Sequence, residues 1–357
     1  MEGQRFREQK FCGICAHHGG APRRPPLTWY VKNHDVLTTE TLLNLHILLV
    51  KRSLAENELT VVSIFVNPAQ FAPHEDLATY PRTLPHDLDL LSGLEYQPVD
   101  APGTPRTPSA VFVPSVKDMY PSGIDQDVLQ QRGTFVEVKG YGEQMEGRSR
   151  PTFFRGVATV VTKLFNIIQV RTFFPQSALF CGPKNILNGP QPTNAYFGQK
   201  DIQQALLLRR LVGDLHLSHP TPSHLHIVPT ARDPTDGLAL SSRNAYLTPI
   251  ERQRAPALYT ALQGAARAWK AGTSKQEAVQ HALQVLEATR REGEEHGVEV
   301  RVDYIEMNDP DTFDVLGDEQ VQRSDGAPVI LSGAVWFGQT RLIDNLILGD
   351  GEGITAQ

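Results

Sequence analysis

The clearest pattern in this chain is an apolar run that stops abruptly at polar residues. Residues 61–66 are apolar and largely β-branched or aromatic, with one serine, which is typical of a parallel strand covered on both faces. Asn67 and Gln70 follow its carboxyl end, where open α/β sheets bind ligands. Their carboxamides could donate to and accept from a small ligand with hydroxyl and carboxyl groups. An ordinary Asn-Pro turn is the alternative.

Strands and helices alternate along the first part of the chain. The pattern predicts strands at 60–66, 110–113, 134–138, 195–198 and 225–228. Between them it predicts helices at 41–57, 85–92, 156–169 and 202–212. This alternation favours an α/β fold with a doubly wound, Rossmann-like parallel sheet.

The C-terminal part has a different order of elements. Thr248, Pro249 and Glu251 predict a helix start with a capping box and a proline in the first turn. Helices at 249–271 and 274–292 should be followed by strands at 298–307, 329–337 and 340–348, which predicts a smaller α+β domain. We therefore predict a Rossmann-like domain at 37–231 and a C-terminal domain at 232–357.

Two segments fit neither pattern. Residues 1–36 lack periodicity, and we expect them to be irregular or disordered, although the Cys-x-x-Cys-x-His-His run that begins at Cys12 could ligate zinc. Residues 170–191 would be an unusually long loop for a compact domain. We interpret them as an insertion.

Composition narrows the classes of function. The chain has 357 residues and a formal net charge of −6, so it has no surplus of cations with which to bind nucleic acid. We find no apolar run long enough to span a membrane, and the charged N-terminus lacks the apolar core of a signal peptide. Three cysteines do not form a disulfide framework, so we expect a reducing compartment, the cytoplasm.

A first candidate phosphate site lies at the predicted strand-to-helix junction around Lys200. Gly198 would permit a close backbone approach, and the helix N-terminus together with the lysine would attract an anion. Gln204 follows one helical turn later and could face the same cleft. An ordinary turn with a solvated lysine is the alternative.

A second candidate segment contains two hydroxyls beside a guanidinium. Ser241, Ser242 and Arg243 could clamp a polyphosphate, although a capped loop with a surface arginine is equally simple. Asp87 could offer one carboxylate to a magnesium ion, which prefers one or two protein carboxylates together with phosphate oxygens. A solvated aspartate on a helix is the alternative there.

Taken together, these segments resemble the pantoate–β-alanine ligases (pantothenate synthetases), of the fungal type. The resemblance covers about residues 46–169 and 192–348. Its motifs occur in the same order along the chain, at 53–57, 61–71, 80–83, 114–121, 154–157, 163–166, 197–204, 236–247 and 341–345.

The resemblance implies a reaction on the pathway to pantothenate and coenzyme A. ATP and pantoate would form a pantoyl adenylate and pyrophosphate, and β-alanine would then displace AMP in a dimeric cytoplasmic ligase. Gln70 and Gln204 would hold pantoate, Asn67 would line the same pocket, and Asp87 would approach Mg²⁺. The positions that would contact ATP are Gly198, Gln199, Lys200, Asp201, Ala231, Leu240, Ser241, Ser242 and Arg243.

The chain departs from the family at its N-terminal phosphate motif. The family carries a Met-Gly-Ala-Leu-His-x-Gly-His stretch, of which only the last histidine survives here, as His46. Leu43 and Leu45 occupy the first histidine and second glycine positions, Glu40 occupies the first glycine position, and Phe153 stands where many relatives have histidine. The predicted catalytic residues are therefore His46, Lys200 and Arg243, although His46 could also be a partly buried helix residue.

Two hypotheses explain this departure. Residues 1–45 and 170–191 could be translated intron or mis-joined exon sequence, or the chain could be a catalytically impaired homologue that only binds pantoate or nucleotide, or only dimerises. Another nucleotidyl transferase on the same sheet is a further alternative. The pair Gln70 and Gln204 argues against it, because both match the pantoate pocket.

Overall fold

A computed structural model describes residues 27–32, 40–71, 77, 83–99, 103–168 and 192–355, without the side chains of 27–32, 40–46 and 192–193. The cysteine–histidine run and the predicted insertion at 170–191 lie outside the described residues. The side chain of His46 also lies outside them.

The first sheet has five parallel strands in the order β3-β2-β1-β4-β5. They are β1 (Leu27–Lys32), β2 (Leu59–Ile64), β3 (Ala110–Phe112), β4 (Pro192–Gly198) and β5 (Leu225–Val228). The four predicted strands β2 to β5 are confirmed. β1 contradicts the expectation that residues 1–36 are irregular, because these six residues pair with β2 and β4 at the centre of the sheet. A run this short acquires its structure from its neighbours rather than from its own pattern.

Helices accompany this sheet at the predicted places. They are α1 (Glu40–Glu56), α2 (Leu84–Ser92), α3 (Val116–Met119), α4 (Glu146–Ser149), α5 (Phe153–Ile167) and α6 (Ile202–Asp214), of which α3 and α4 were not predicted. α5 and α6 supply most of the largest buried cluster, which also includes residues of β4 and β5. Among the described residues, no helix is both long and apolar enough to cross a membrane.

The predicted strand at 134–138 is wrong. Phe135, Val136 and Val138 do pack against the core, which explains their apolar pattern. The backbone of Val136 bonds to a side chain instead of a strand: its N–H donates to Thr159 Oγ1 at 2.9 Å, and the same hydroxyl lies 3.3 Å from its carbonyl oxygen. The hydroxyl of Thr159 on α5 therefore makes the hydrogen bonds that a neighbouring strand would make in a sheet.

The C-terminal part contains three helices and a three-stranded antiparallel sheet in the order β6-β7-β8. The elements are α7 (Pro249–Arg254), α8 (Ala257–Lys270), α9 (Lys275–Glu295), β6 (Val300–Asn308), β7 (Val329–Phe337) and β8 (Thr340–Leu348). The capping box at Thr248 and Glu251 is confirmed. The single helix predicted at 249–271 is wrong, because Pro256 cannot donate a backbone hydrogen bond and a new helix begins after it. The predicted fold class is confirmed, and the domain boundary near 231 stays a prediction.

The two parts are joined through shared packing. Phe313, Ile330 and Ile354 are buried in the cluster built mainly by α5 and α6. Arg209 on α6 donates to the carbonyl oxygens of Gly353 at 3.1 Å and Ile354 at 2.9 Å. The C-terminal residues are therefore tied to the parallel-sheet part.

A half-buried histidine lies on the outer strand β5. His226 Nε2 bonds to Asn194 Oδ1 at 2.9 Å, and its ring stacks on Tyr196 with ring centroids 5.0 Å apart. Burial is the main cause that lowers the pKa of His226; the nearby charge of Glu56 opposes it, whereas His224, Arg52 and Arg209 act in the same direction as burial. The fold therefore favours the neutral imidazole.

We expect the folded chain to lose stability as the pH falls through the ordinary histidine pKa of 6.5, because the unfolded chain takes up the proton first. Between about pH 7.5 and about pH 5.5, the thermal midpoint of the parent should fall further than that of His226→Gln. His281→Gln, at an exposed position on α9, is the control and should behave like the parent. Equal pH dependence in all three proteins would contradict this role of His226.

Candidate active site

The turn that carries Lys200 follows directly from β4. The strand ends at Gly198, and a 3-10 turn, Gln199–Asp201, leads into α6. Lys200 is only 4% exposed, and its Nζ lies 3.6 Å from Asp201 Oδ1. A Cβ atom added to Gly198 would meet no atom within 4 Å, so the described fold leaves open space at that backbone. Another molecule could approach the strand end closely there.

A partly enclosed cleft brings predicted residues from both parts of the chain together. Lys200, Asp201 and Gln204 line it from the parallel sheet, and Arg243 lines it from the C-terminal part. Further lining comes from residues without a predicted role: Glu146, Arg150, Phe153, Tyr304, Asp344 and Asn345. The cations Lys200, Arg243 and Arg150 therefore share one partly enclosed space with the carboxamide of Gln204, as an anionic substrate would require.

The turn after β2 carries both predicted carboxamides, Asn67 and Gln70, but it places them in different surroundings. Asn67 is completely buried, and its Nδ2 donates to the carbonyl oxygen of Gly156 at 3.0 Å. Its Oδ1 accepts from Tyr120 Oη at 2.6 Å and from the N–H of Ala69 at 3.3 Å. Asn67 thus caps the 3-10 turn Pro68–Gln70, and among the described residues it is not part of the cleft lining.

Gln70 is placed differently from Asn67. It is 3% exposed, and its Oε1 is buried with no hydrogen-bond partner among the described residues. Its carbonyl oxygen accepts from Arg150 Nη2 at 3.3 Å, and Arg150 lines the cleft. A buried acceptor without a partner is costly, which makes Gln70 a candidate for ligand binding beside the cleft.

The turn that carries Gln70 also contacts α5 closely. A Cβ atom added to Gly156 would lie 2.3 Å from the carbonyl oxygen of Ala69. Only glycine therefore lets α5 approach the turn without displacing it.

The loop from Ala231 to Arg243 is closed by its own hydrogen bonds. The N–H of Leu240 donates to the carbonyl oxygen of Ala231 at 2.9 Å, and both side chains are buried together. Ser241 Oγ accepts from the N–H of Arg243 at 3.3 Å and caps the 3-10 turn Ser242–Tyr246. Among the described residues of this loop, Arg243 lines the cleft, whereas the two serines are buried outside it.

The family model described as pantoate-beta-alanine ligase matches residues 36–182 and 183–347. This chain belongs to that family. A pantothenate synthetase from Herpetosiphon aurantiacus is 40% identical over 303 residues, which are 85% of this chain and 88% of the relative. The crystal structure of the Thermus thermophilus pantothenate synthetase has a TM-score of 0.65 and 35% identity, and the match covers 91% of this chain and 94% of that one.

A second solved structure carries ligands. The pantoate-beta-alanine ligase from Francisella tularensis, complexed with beta-gamma ATP and beta-alanine, has a TM-score of 0.55 and 28% identity. The match covers 90% of this chain and 89% of that one.

Two further residues that the resemblance assigns to the site, Asp87 and His46, are not brought to the cleft by the described residues, whereas Phe153, a departure from the family, is. Asp87 is buried in the first turn of α2, where its Oδ1 accepts from Thr83 Oγ1 at 3.4 Å, and it is not among the described residues of the cleft lining. No cluster of three or more metal-ligating side chains occurs in the described part of the chain. Phe153 lies in the cleft wall with the guanidinium of Arg150 4.0 Å from its ring centroid. His46 is known here only as a backbone position in α1.

Sequence reasoning missed a buried ionic network beside Arg243. Arg341 on β8 donates to both carboxylate oxygens of Glu146, at 2.7 and 3.0 Å, and to Asp303 Oδ2 at 2.7 Å. Tyr304 Oη donates to Glu146 Oε1 at 2.7 Å. Burial alone would raise the pKa of Glu146, but the hydrogen bonds and charge of Arg341, with Tyr304 and Arg243, outweigh it and hold that pKa below its ordinary value. Glu146 is therefore an anion in the cleft wall, paired with a C-terminal strand.

A sequence signal for part of this network existed. Arg341, Asp344 and Asn345 are polar positions inside an otherwise apolar predicted strand. Buried polar residues in a strand need partners, and Arg341 finds one in Glu146, on the parallel-sheet part. Asn345 finds its partners on the same part, in the turn Gln199–Asp201.

Proposed function

We propose that this chain condenses pantoate with β-alanine at the cleft around Lys200 and Arg243, in an ATP-dependent reaction. Family membership supports the reaction, and the convergence of two cations with Gln204 supports its location. A homologue that only binds or dimerises is not favoured, because relatives matched over most of the chain are named as ligases.

In the first step, a carboxylate oxygen of pantoate attacks the α-phosphorus of ATP. A mixed anhydride forms, and the bond to pyrophosphate breaks. Lys200 and Arg243 offset the negative charge that builds on the phosphates as pyrophosphate leaves. Gly198, Gln199 and Asp201 contact the nucleotide from the same turn. The backbone of Ala231 and the segment 240–242 contact the part of the nucleotide that extends past the described cleft lining.

In the second step, the amine of β-alanine attacks the acyl carbon of the adenylate. The bond to the phosphate oxygen breaks, AMP leaves, and the nitrogen loses a proton as the amide forms. A partly enclosed cleft protects the adenylate from water, since a mixed anhydride hydrolyses readily. His46 is proposed as a proton donor or phosphate contact.

Pantoate is held by Gln70 and Gln204, with Asn67 supporting the turn that carries Gln70. The proposed protein ligand of a magnesium ion is Asp87, whose buried carboxyl lies outside the described cleft lining. An ion with one protein carboxylate would take its other ligands from phosphates and water. That ion would supply further positive charge for the leaving pyrophosphate. A homodimer in the cytoplasm is proposed on the family resemblance alone.

The test of this function is AMP release that depends on both pantoate and β-alanine. Omission of either substrate should abolish product, and pantothenate should form in equal amount with AMP, by the stoichiometry of acyl transfer. AMP release that is indifferent to either substrate would overturn the assignment.

For the pantoate site, we expect Gln70→Ala to weaken pantoate binding by ~1–3 kcal/mol, because ligand groups lose a buried partner. Calorimetry with pantoate alone measures this, and Gln280→Ala at an exposed position on α9 is the control. Equal affinity of Gln70→Ala and the parent would remove Gln70 from the pocket.

A further inference from the structure

One buried side chain of the C-terminal sheet holds the turn that presents Lys200. Asn345 on β8 is 2% exposed. Its Nδ2 donates to the carbonyl oxygens of Gln199 and Lys200, both at 2.9 Å, and its Oδ1 accepts from Gln199 Nε2 at 3.3 Å. One amide therefore binds two consecutive carbonyls of the turn from the opposite side of the cleft.

The preceding residue on β8 holds the second segment of the cleft. Asp344 is 4% exposed and accepts from Arg232 Nη1 at 2.6 Å and Nη2 at 2.9 Å. Arg232 in turn donates to the carbonyl oxygen of Gly237 at 3.2 Å, within the loop that leads to Arg243. Asp344 Oδ1 also accepts from the backbone N–H of Asn345 at 2.8 Å, so the Asp344 side chain helps to fix the backbone that carries Asn345.

We propose that Asn345, supported by Asp344, is a positioning residue for adenylate formation. It acts through Lys200, by fixing the turn that carries this lysine, and the role requires no contact between Asn345 and the substrate. This inference rests on the proposed function. A displacement of a charged group by ~1 Å can cost about 10²-fold in rate. A loosened turn should therefore lower mainly the rate of adenylate formation, the step that uses Lys200.

The variant Asn345→Leu keeps the side-chain size and removes every polar atom. Asn308→Leu is the matched control: Asn308 is completely buried on β6, and its Nδ2 donates to the carbonyl oxygen of Phe313 at 2.9 Å, away from the cleft lining. Both variants lose a buried amide, but only one of them loses a bond to the Lys200 turn.

The assay is pantoate-dependent exchange of pyrophosphate into ATP, per folded molecule. We expect Asn345→Leu to slow exchange by about 10- to 100-fold and Asn308→Leu to leave it unchanged. In the Lys200→Ala background, Asn345→Leu should add little, because both changes remove the same contribution. An unchanged rate in Asn345→Leu, or two effects that multiply in the double variant, would overturn the proposal.

Hydrogen exchange of the backbone around residues 197–203 gives a readout that needs no turnover. It should quicken in Asn345→Leu and not in Asn308→Leu; quickening spread equally over the whole chain would indicate a merely structural role and refute the proposal. Asn345→Ser serves the same tests if the leucine variant does not fold. If the parent shows no pantoate-dependent exchange, the proposed function fails, while hydrogen exchange still decides whether Asn345 holds the turn.

Discussion

Replacing Lys200 with alanine is expected to slow adenylate formation by about 10²–10³-fold while leaving the chain folded. The side chain of Lys200 is almost completely buried and shares the cleft with Arg243, so its charge acts in surroundings that screen it poorly. Its ion partner Asp201 keeps a side chain that is 37% exposed, and water can solvate that carboxylate once the lysine is gone. The loss should therefore fall on catalysis rather than on stability.

The measurement is exchange of pyrophosphate into ATP in the presence of pantoate, together with the thermal midpoint of each protein. Lys270→Ala, at an exposed position on α8, controls for the loss of a lysine as such and should exchange like the parent. If Lys200→Ala exchanges at the parent rate, the lysine does not contact the phosphates and the cleft must bind ATP in another way.

Sequence reasoning predicted the fold correctly where the local sequence of a segment determines its secondary structure. β2 has a largely apolar, β-branched run, and α7 begins at a complete capping box, so local physics suffices for both. It failed where the structure depends on partners distant in sequence. β1 pairs with two strands that lie far along the chain, and Val136 is bonded by the side chain of Thr159.

The candidate site divides in the same way. Lys200 and Gln204 lie where a strand-to-helix junction places them, which a pattern can reveal. The spacing of residues in the sequence cannot show whether a polar side chain already has a hydrogen-bond partner within the protein. Asn67 and Ser241 serve as caps, whereas Gln70 keeps a buried oxygen without a partner among the described residues. The bond between Asn345 and the Lys200 turn joins residues about 145 apart in sequence, which a pattern cannot show.

The structure shows where the altered N-terminal motif at residues 39–46 lies relative to the Lys200 turn. β1 pairs in parallel with β4, so the carboxyl end of β1 and the Lys200 turn lie at the same edge of the sheet. α1 begins at Glu40 after that strand, so the positions of the family motif open the helix that follows β1. A strand of the sheet therefore precedes residues 39–46, and the proposed restoration is confined to the motif itself.

We expect a chain with the family motif restored at positions 39–46 to form pantothenate about 10²–10³-fold faster than the parent, since several phosphate donors return together. The changes are Thr39→Met, Glu40→Gly, Thr41→Ala, Leu43→His, Asn44→Glu and Leu45→Gly, with His46 kept. Glycine costs about 1 kcal/mol in a helix interior, so the gain in rate should come with slightly lower stability.

The assay is AMP release that depends on both pantoate and β-alanine. A matched variant with the same changes but Leu43→Phe separates the imidazole from the reshaped helix start, because phenylalanine cannot donate a hydrogen bond. It should recover only part of the rate. A parent chain that already turns over as fast as the restored one would show that residues 39–46 do not limit catalysis, and that the phosphates are bound by groups other than the family motif.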